Sequence, residues 1–362
     1  MRRIAVCLGL TVLAGCGERA GTPAAEPAPV PVEALLPATE RPPSATLEAV
    51  RRRGRLNCGV HEGLVGFAYT DNRGRWRGFD VDFCRATAAA VLGDPDAVRF
   101  VPLTAGQRFE ALSSGRIDVL WRNTSWTMDR DVNGRVDFAG VNYYDGQGFM
   151  ARRSLELAGA TDLNGARICV QAGSTSQDNL ADWFRARGLT YTAVVADSEN
   201  QAREMYAREA CDAFTADVSA LAAARTTLAA PRDHVILPNV ISKEALGPVV
   251  REDDTTWTEI VRWTLNALIL AEELGVTEAN VATLAGSSAD PQVKRLLGRQ
   301  GEFGPSLGLG DSWARDAIAA GGNYGEIFGR HLGPDSPLDL ARGLNAQWNA
   351  RPAGLMYALP IR

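Results

Sequence analysis

The residues best equipped for chemistry in this sequence form three clusters. The first runs Asp118-Val119-Leu120-Trp121-Arg122-Asn123-Thr124-Ser125-Trp126-Thr127-Met128-Asp129-Arg130, a strand end, a hydroxyl-rich loop and an arginine. A guanidinium presents a planar fork that can engage both oxygens of a carboxylate. Arg130, with donors from Asn123, Ser125 and Thr127, therefore reads as equipment for holding an anion; the plain alternative is a solvated loop arginine among ordinary turn formers. The second cluster, Val170-Gln171-Ala172-Gly173-Ser174-Thr175-Ser176, places a glycine turn and hydroxyls at the start of a helix, where backbone N–H groups favour negative charge. The same pattern serves as a routine N-cap, and both readings can hold together. The third, Cys211-Asp212-Ala213-Phe214-Thr215-Ala216-Asp217, ends on an acid. A dry cleft that holds a small zwitterion needs a fixed cation with donors on one side and an anion on the other, because burying either charge unpaired is costly.

The elements around these clusters alternate between strand and helix. Leu56 to Val60 reads as a buried strand, Gly78 to Leu92 as a helix stopped by Gly93-Asp94-Pro95, Val98 to Val101 as a strand, Arg108 to Ser113 as a helix and Ile117 to Trp121 as a strand. The pattern repeats in Arg167 to Gln171, Ser176 to Arg187, Tyr191 to Val195, Glu199 to Arg208, Asp212 to Thr215 and Val218 to Ala224. Alternation of this kind predicts an α/β fold with largely parallel sheets, and two blocks predict two lobes. Tyr143 to Ala151 and Leu246 to Arg251 read as two extended crossings with glycine at the bend, and the chain from Trp257 onward must rejoin the first lobe. A cleft between such lobes lies beyond the carboxyl ends of the strands, where α/β folds bind ligands.

The ends of the chain bear on location. Met1 to Gly15 carries two arginines before a short apolar run that closes on small residues, the pattern of a signal peptide. Leu13-Ala14-Gly15-Cys16 looks like a bacterial lipobox, which predicts a lipid on Cys16. An Ala-, Pro- and Glu-rich stretch over 16–45 reads as a semi-extended tether. The expected organisation is thus signal peptide 1–15, tether 16–45, a first lobe of 46–147 with 248–362, and a second lobe of 148–247. A formal charge of -5 argues against a nucleic-acid partner. Cys58, Cys84, Cys169 and Cys211 remain after the leader and the anchor. Four thiols in an oxidising compartment suggest two bridges. Of the three connectivities, Cys58–Cys84 with Cys169–Cys211 is favoured because each bridge then stays within one lobe. No zinc-ligand spacing joins the cysteines to His61, His234 or His331, so neither a metal nor a cofactor is expected.

Asp118 to Arg130 resembles the strand and T-x-T-x-E-R loop of the polar amino-acid-binding proteins of ABC importers, solute-binding protein family 3, with Asp129 at the family glutamate. Gly173, Ser174 and Thr175 match that family's V-x-x-G-[ST]-T turn, and Asp212 to Asp217 its D-A-x-x-x-D strand. Gly78 to Asp82, Gly140 to Met150, Asn323 to Phe328 and Arg342 to Asn345 are similar to the general L-amino-acid branch. The resemblance implies a two-lobed, type II periplasmic-binding-protein fold, each lobe a sheet flanked by helices, joined by a two-strand hinge. It also implies an extracytoplasmic protein that captures L-amino acids and passes them to a membrane permease. Arg130, Ser125, Thr127, Asn123, Gly173, Ser174 and Thr175 would hold the ligand carboxylate and Asp217 its ammonium. His61, Glu62, Arg122 and Trp126 are the side-chain pocket candidates. Gly63-Leu64 stands where narrow-specificity members place an aromatic, and Thr104-Ala105 replaces another bulky contact, which implies a roomier pocket. A sensory lipoprotein and a periplasmic dehydratase-like enzyme are the rival classes; the second would need a tuned general acid or base, and no nucleophile–base pair supports it.

Overall fold

The computed structural model describes residues 42–362; the leader, Cys16 and the spacer through residue 41 lie outside the described residues. Helix α1 (Ala45–Arg53) begins at Ser44, whose hydroxyl accepts the Leu47 N–H at 3.0 Å. This cap satisfies one of the donors that a helix start leaves free. Strand β1 (Leu56–His61) is buried at every position, as suits a strand covered on both faces. A small hairpin of β2 (Tyr69–Thr70) and β3 (Trp76–Arg77) leads to α2 (Phe79–Leu92). Left-handed Gly93 closes that helix with its N–H on the Ala89 carbonyl. Then come β4 (Val98–Leu103), α3 (Arg108–Ser113), β5 (Val119–Leu120), α4 (Met128–Asn133) and β6 (Val136–Phe138).

The chain crosses through β7 (Tyr143–Asp145) into β8 (Gln147–Arg152), β9 (Arg167–Gln171), α5 (Thr175–Ala186), β10 (Thr192–Ala196), α6 (Glu199–Ala207), β11 (Ala213–Asp217), α7 (Val218–Thr226) and β12 (His234–Ile236). It returns through β13 (Glu244–Leu246) and β14 (Val249–Arg251). Two five-stranded mixed sheets result, ordered β4-β1-β5-β14-β6 and β10-β9-β11-β8-β12. Within them β1 runs parallel to β4 and β5, and β9 runs parallel to β10 and β11. The crossings β7 and β13 pair antiparallel, Tyr144 opposite Ala245, as a separate two-stranded ribbon. Each sheet is flanked by helices, giving the two α/β lobes that the alternation predicts in the bilobed type II architecture that the resemblance implies; the sheets are mixed rather than largely parallel, because β14 and β8 enter them antiparallel.

The third strand of the first sheet is shorter than the run Ile117 to Trp121. Only Val119 and Leu120 are laddered, although Asp118 N–H and Trp121 N–H still donate to the Asn57 and Gly59 carbonyls of β1. The structure joins Cys58 to Cys84, tying β1 to α2, and Cys169 to Cys211, tying β9 to the turn before β11.

The C-terminal part returns to the first sheet. Helix α8 (Thr255–Glu273) packs on α2 and β14, and its Trp257 indole donates to the Asp118 carbonyl at 2.9 Å. Helices α9 (Val281–Ser287), α10 (Pro291–Leu296), α11 (Phe303–Ser306), α12 (Trp313–Ala319) and α13 (Tyr324–His331) follow. Of these, α12 and α13 pack on both α2 and α8. Among the described residues no helix is long and apolar enough to cross a membrane.

Candidate functional site

Strands β1, β4, β5, β9 and β11 point their carboxyl ends at one cleft, and its lining comes from both halves of the chain. The first sheet's side supplies Ala105, Arg108, Arg122, Asn123, Ser125 and Arg130. The second supplies Gln171, Ser174, Thr175, Ser176, Glu199, Thr215 and Asp217. The two sides touch: the Ser125 and Thr175 hydroxyls lie 3.3 Å apart, and His61 Nε2 lies 3.4 Å from the Glu199 carboxylate.

Arg130 is fixed from three directions. Its own N–H donates to the Thr127 hydroxyl, which caps α4; Nη1 donates to the Ser125 carbonyl at 2.9 Å; and the guanidinium lies over the Phe109 ring at 5.8 Å. Among the described residues no carboxylate pairs with it at ion-pair distance. Burial lowers its pKa, and the negative charges of Glu244 and Asp217 oppose that.

Across the cleft, Gly173 adopts φ +66°, a conformation that glycine takes at no steric cost. The turn delivers the start of α5. Ser174 occupies the N-cap position but does not cap: its hydroxyl donates to the Gln171 carbonyl at 2.7 Å. The positive end of α5 is therefore directed into the cleft without a side-chain acceptor of its own. Thr175 is oriented by Glu244, which accepts from its hydroxyl at 3.2 Å and from Asn179 Nδ2 at 2.7 Å.

Asp217 ends β11, only 8% exposed. Burial first, then the neighbouring charges of Asp145, Glu244 and Glu199, push its pKa well up, and Arg130 alone among the principal influences pulls it down. A carboxylate so placed gains from any cation brought beside it.

Of the residues expected from the sequence, the structure brings Arg130, Ser125, Asn123, Ser174, Thr175, Asp217 and Arg122 to the cleft lining. Thr127 caps the helix that carries Arg130, and Gly173 shapes the turn behind α5; both stand back from the lining. His61 is buried and reaches the cleft only through Glu199. Burial and the charge of Arg122 lower the His61 pKa against the pull of Glu199, so the imidazole is neutral near pH 7. Burial would raise Glu199, but His61 and Arg122 outweigh it and hold it down, leaving it ionised. Glu62 contributes to the field at Arg122 without lining the cleft. Trp126 stacks on Phe138 at 5.2 Å and faces a separate groove shared with Tyr144, Leu355 and Tyr357. Arg108, Gln171 and Glu199 line the cleft and are absent from the expected set. Their only sequence signal is position, at a helix start or strand end facing the same side as the motifs. Among the described residues, no group of three His, Cys, Asp or Glu side chains is placed to hold a metal ion.

Two helix-flanked sheets, a paired hinge and a polar cleft with fixed opposite charges define a bilobed solute-binding protein. The chain belongs to the bacterial extracellular solute-binding proteins, family 3, whose model matches residues 56–278. It is 51% identical over 319 residues to the glutamate/glutamine/aspartate/asparagine-binding protein BztA of Rhodobacter capsulatus, covering 88% of this chain and 94% of that one. It is 50% identical over 321 residues to the general L-amino acid-binding periplasmic protein AapJ of Rhizobium johnstonii, covering 88% and 93%. Among solved structures, a periplasmic binding protein of an ABC transporter from Brucella ovis with glutathione bound matches with a TM-score of 0.85 and 51% identity, over 88% of this chain and 99% of that one. These relatives are binding proteins.

Proposed function

We propose that the protein captures L-amino acids outside the cytoplasmic membrane, in a zwitterion clamp between its lobes, and delivers them to the permease of an ABC importer. In this reading Arg130, with Ser125, Asn123 and the start of α5 at Ser174 and Thr175, holds the ligand carboxylate, and Asp217 holds the ammonium. The observation that carries it is the placement of Arg130 and Asp217 on opposite sides of one cleft, each without an ion-pair partner at contact distance among the described residues. The relatives named for amino-acid binding support the ligand class. The lobes are taken as 46–147 with 248–362, and 148–247, a division supported by the membership of the two sheets. Small Ala105 in the lining supports a roomy side-chain pocket and broad selectivity.

Calorimetry on Arg130→Ala and Asp217→Ala tests the clamp. Leaving one charge of a buried, hydrogen-bonded pair unanswered typically costs about 2–5 kcal/mol, roughly 30- to several-thousand-fold in affinity. The loss should be of similar size for every amino acid bound, because all share the same main-chain ends. Wild-type affinity in either variant, or a loss confined to one kind of side chain, counts against it. The second part of the proposal is the tether: Cys16 carries lipid, and Cys16→Ser should move the protein from the membrane fraction to the soluble one. A variant that stays with membranes through salt and carbonate washes would sink that part alone.

A further inference from the structure

Three arginines face the cleft, Arg108 and Arg122 buried and Arg130 partly so, and Arg108 differs from the other two. Arg122 donates through Nε to the Leu103 carbonyl at 3.0 Å and feels Glu199, Glu62 and Asp80. Arg130 is seated on Ser125 and feels Glu244 and Asp217. Arg108, 3% exposed at the start of α3, has a buried Nε with no hydrogen-bond partner among the described residues, and none of their carboxylates reaches it at ion-pair distance. Its ring contact with Phe109 at 5.1 Å steadies the guanidinium without answering the charge. Burial and the positive charges of Arg130 and Arg122 press on it, and Asp217 is the one carboxylate that relieves it appreciably.

Among the described residues, Arg122 Nη2 and Gln171 Nε2 are also buried donors without partners, and both line the same space, where Asn123 Oδ1 is the one unpartnered acceptor. Ala105, three positions before Arg108, leaves room on that wall. A bound α-amino acid would present its carboxylate to Arg130 and its ammonium to Asp217. A ligand with an apolar side chain would then leave Arg108 buried, and surrounded by like charge, which is strongly unfavourable.

We infer that Arg108 is a specificity-determining residue that reads a second anionic group on the ligand, so that amino acids with a carboxylate side chain bind more tightly than neutral or basic ones. This inference rests on the clamp reading and assigns what that reading leaves open, the partner of the third guanidinium.

The test is calorimetry with L-glutamate, L-glutamine and L-leucine on the wild type, Arg108→Met and Arg108→Lys. The wild type should bind glutamate most tightly of the three. Arg108→Met should weaken glutamate roughly 30-fold or more while leaving leucine no weaker than in the wild type, and Arg108→Lys, which keeps charge but loses the fork, should fall between. Ligand-free Arg108→Met should melt no lower than the wild type, since it removes a buried charge that nothing pairs. Equal losses for all three ligands would place Arg108 in the main-chain clamp and overturn the inference. So would a lower melting point with the ligand order unchanged, which marks a purely structural residue, or a wild type that prefers leucine. Failure of Arg130→Ala to weaken any ligand, or no binding by the wild type, instead sinks the clamp on which the inference stands.

Discussion

Asp145 on the hinge strand β7 and Asp217 in the cleft show how burial and charge compete at single residues. Asp145 accepts from the Ser219 hydroxyl and from the Gly146 N–H at 2.8 Å, yet burial dominates and raises its pKa to about 6. The folded carboxyl thus keeps its proton up to about pH 6, whereas the unfolded one releases it near its ordinary value of 3.8. Between those values the folded state binds more protons, so this contribution to stability is complete below about pH 4 and is lost as pH rises through 6. Asp145→Asn cannot ionise. Its melting temperature relative to the wild type should therefore climb between about pH 4 and 6 and level off above, which calorimetric scans across that range would show; a flat difference would contradict the assignment. Asp217 shifts in the same direction for the same first reason. A ligand ammonium beside it favours the ionised form, so binding should release protons below the pH at which the empty site ionises. Heats measured in buffers of different ionisation enthalpy would reveal that release.

Among the elements, the hinge is held by a part of the chain beyond the matched family core, which ends at residue 278. Asn345 is buried, and its side chain accepts the Tyr144 N–H at 2.7 Å and donates to the Tyr144 carbonyl at 3.0 Å, pairing with the free edge of β7 as another strand would. Arg342 fixes that residue by donating to its carbonyl, while its guanidinium engages both oxygens of Glu272 on α8 and lies over Tyr324 and Phe328. Asn345→Ala should lower the melting temperature, since an unmade hydrogen bond to a half-buried group costs about 1–3 kcal/mol. It should also change affinity by one common factor for all ligands, because it touches none of them; altered ligand order would show that the residue reaches the cleft. The bridges belong to this scale too. Loops of 26 and 42 residues correspond to about 3–4 kcal/mol each in the chain-entropy account, and non-reducing peptide mapping should recover Cys58 with Cys84 and Cys169 with Cys211. Local pattern carried much of this fold: α3 over Arg108–Ser113 and β9 over Arg167–Gln171 match the periodicity to the residue. What it could not carry were contacts between distant segments. Asn345 and Tyr144 are 201 positions apart, Glu199 read only as a helix start, and Arg108 gave no sign of facing inward until the cleft was assembled around it.

At the scale of the whole molecule, the question is what holds the two lobes together when the cleft is closed. Apart from the hinge, the polar contacts described between its walls are modest: the Ser125 and Thr175 hydroxyls 3.3 Å apart, and His61 Nε2 lying 3.4 Å from the Glu199 carboxylate without a hydrogen bond. A hydroxyl–hydroxyl hydrogen bond of this kind contributes about 0.5–1.5 kcal/mol. These contacts are set against the cost of holding Arg130 partly and Asp217 almost wholly out of water with no counter-charge at contact distance among the described residues. A zwitterion that touches both lobes answers both charges at once, and it does so only when the lobes are closed, so its affinity for the closed state exceeds that for the open one and the population moves accordingly. Small-angle scattering should then show a smaller radius of gyration with saturating L-amino acid than without. Arg130→Ala should keep the ligand-free radius at the same ligand concentration, because one of the two anchors is gone. Glu199→Gln, which removes the charge facing His61 and Arg122 but neither anchor, should still contract, with a weaker midpoint. A protein whose radius is the same with and without ligand, while calorimetry reports tight binding, would show that capture proceeds without closure.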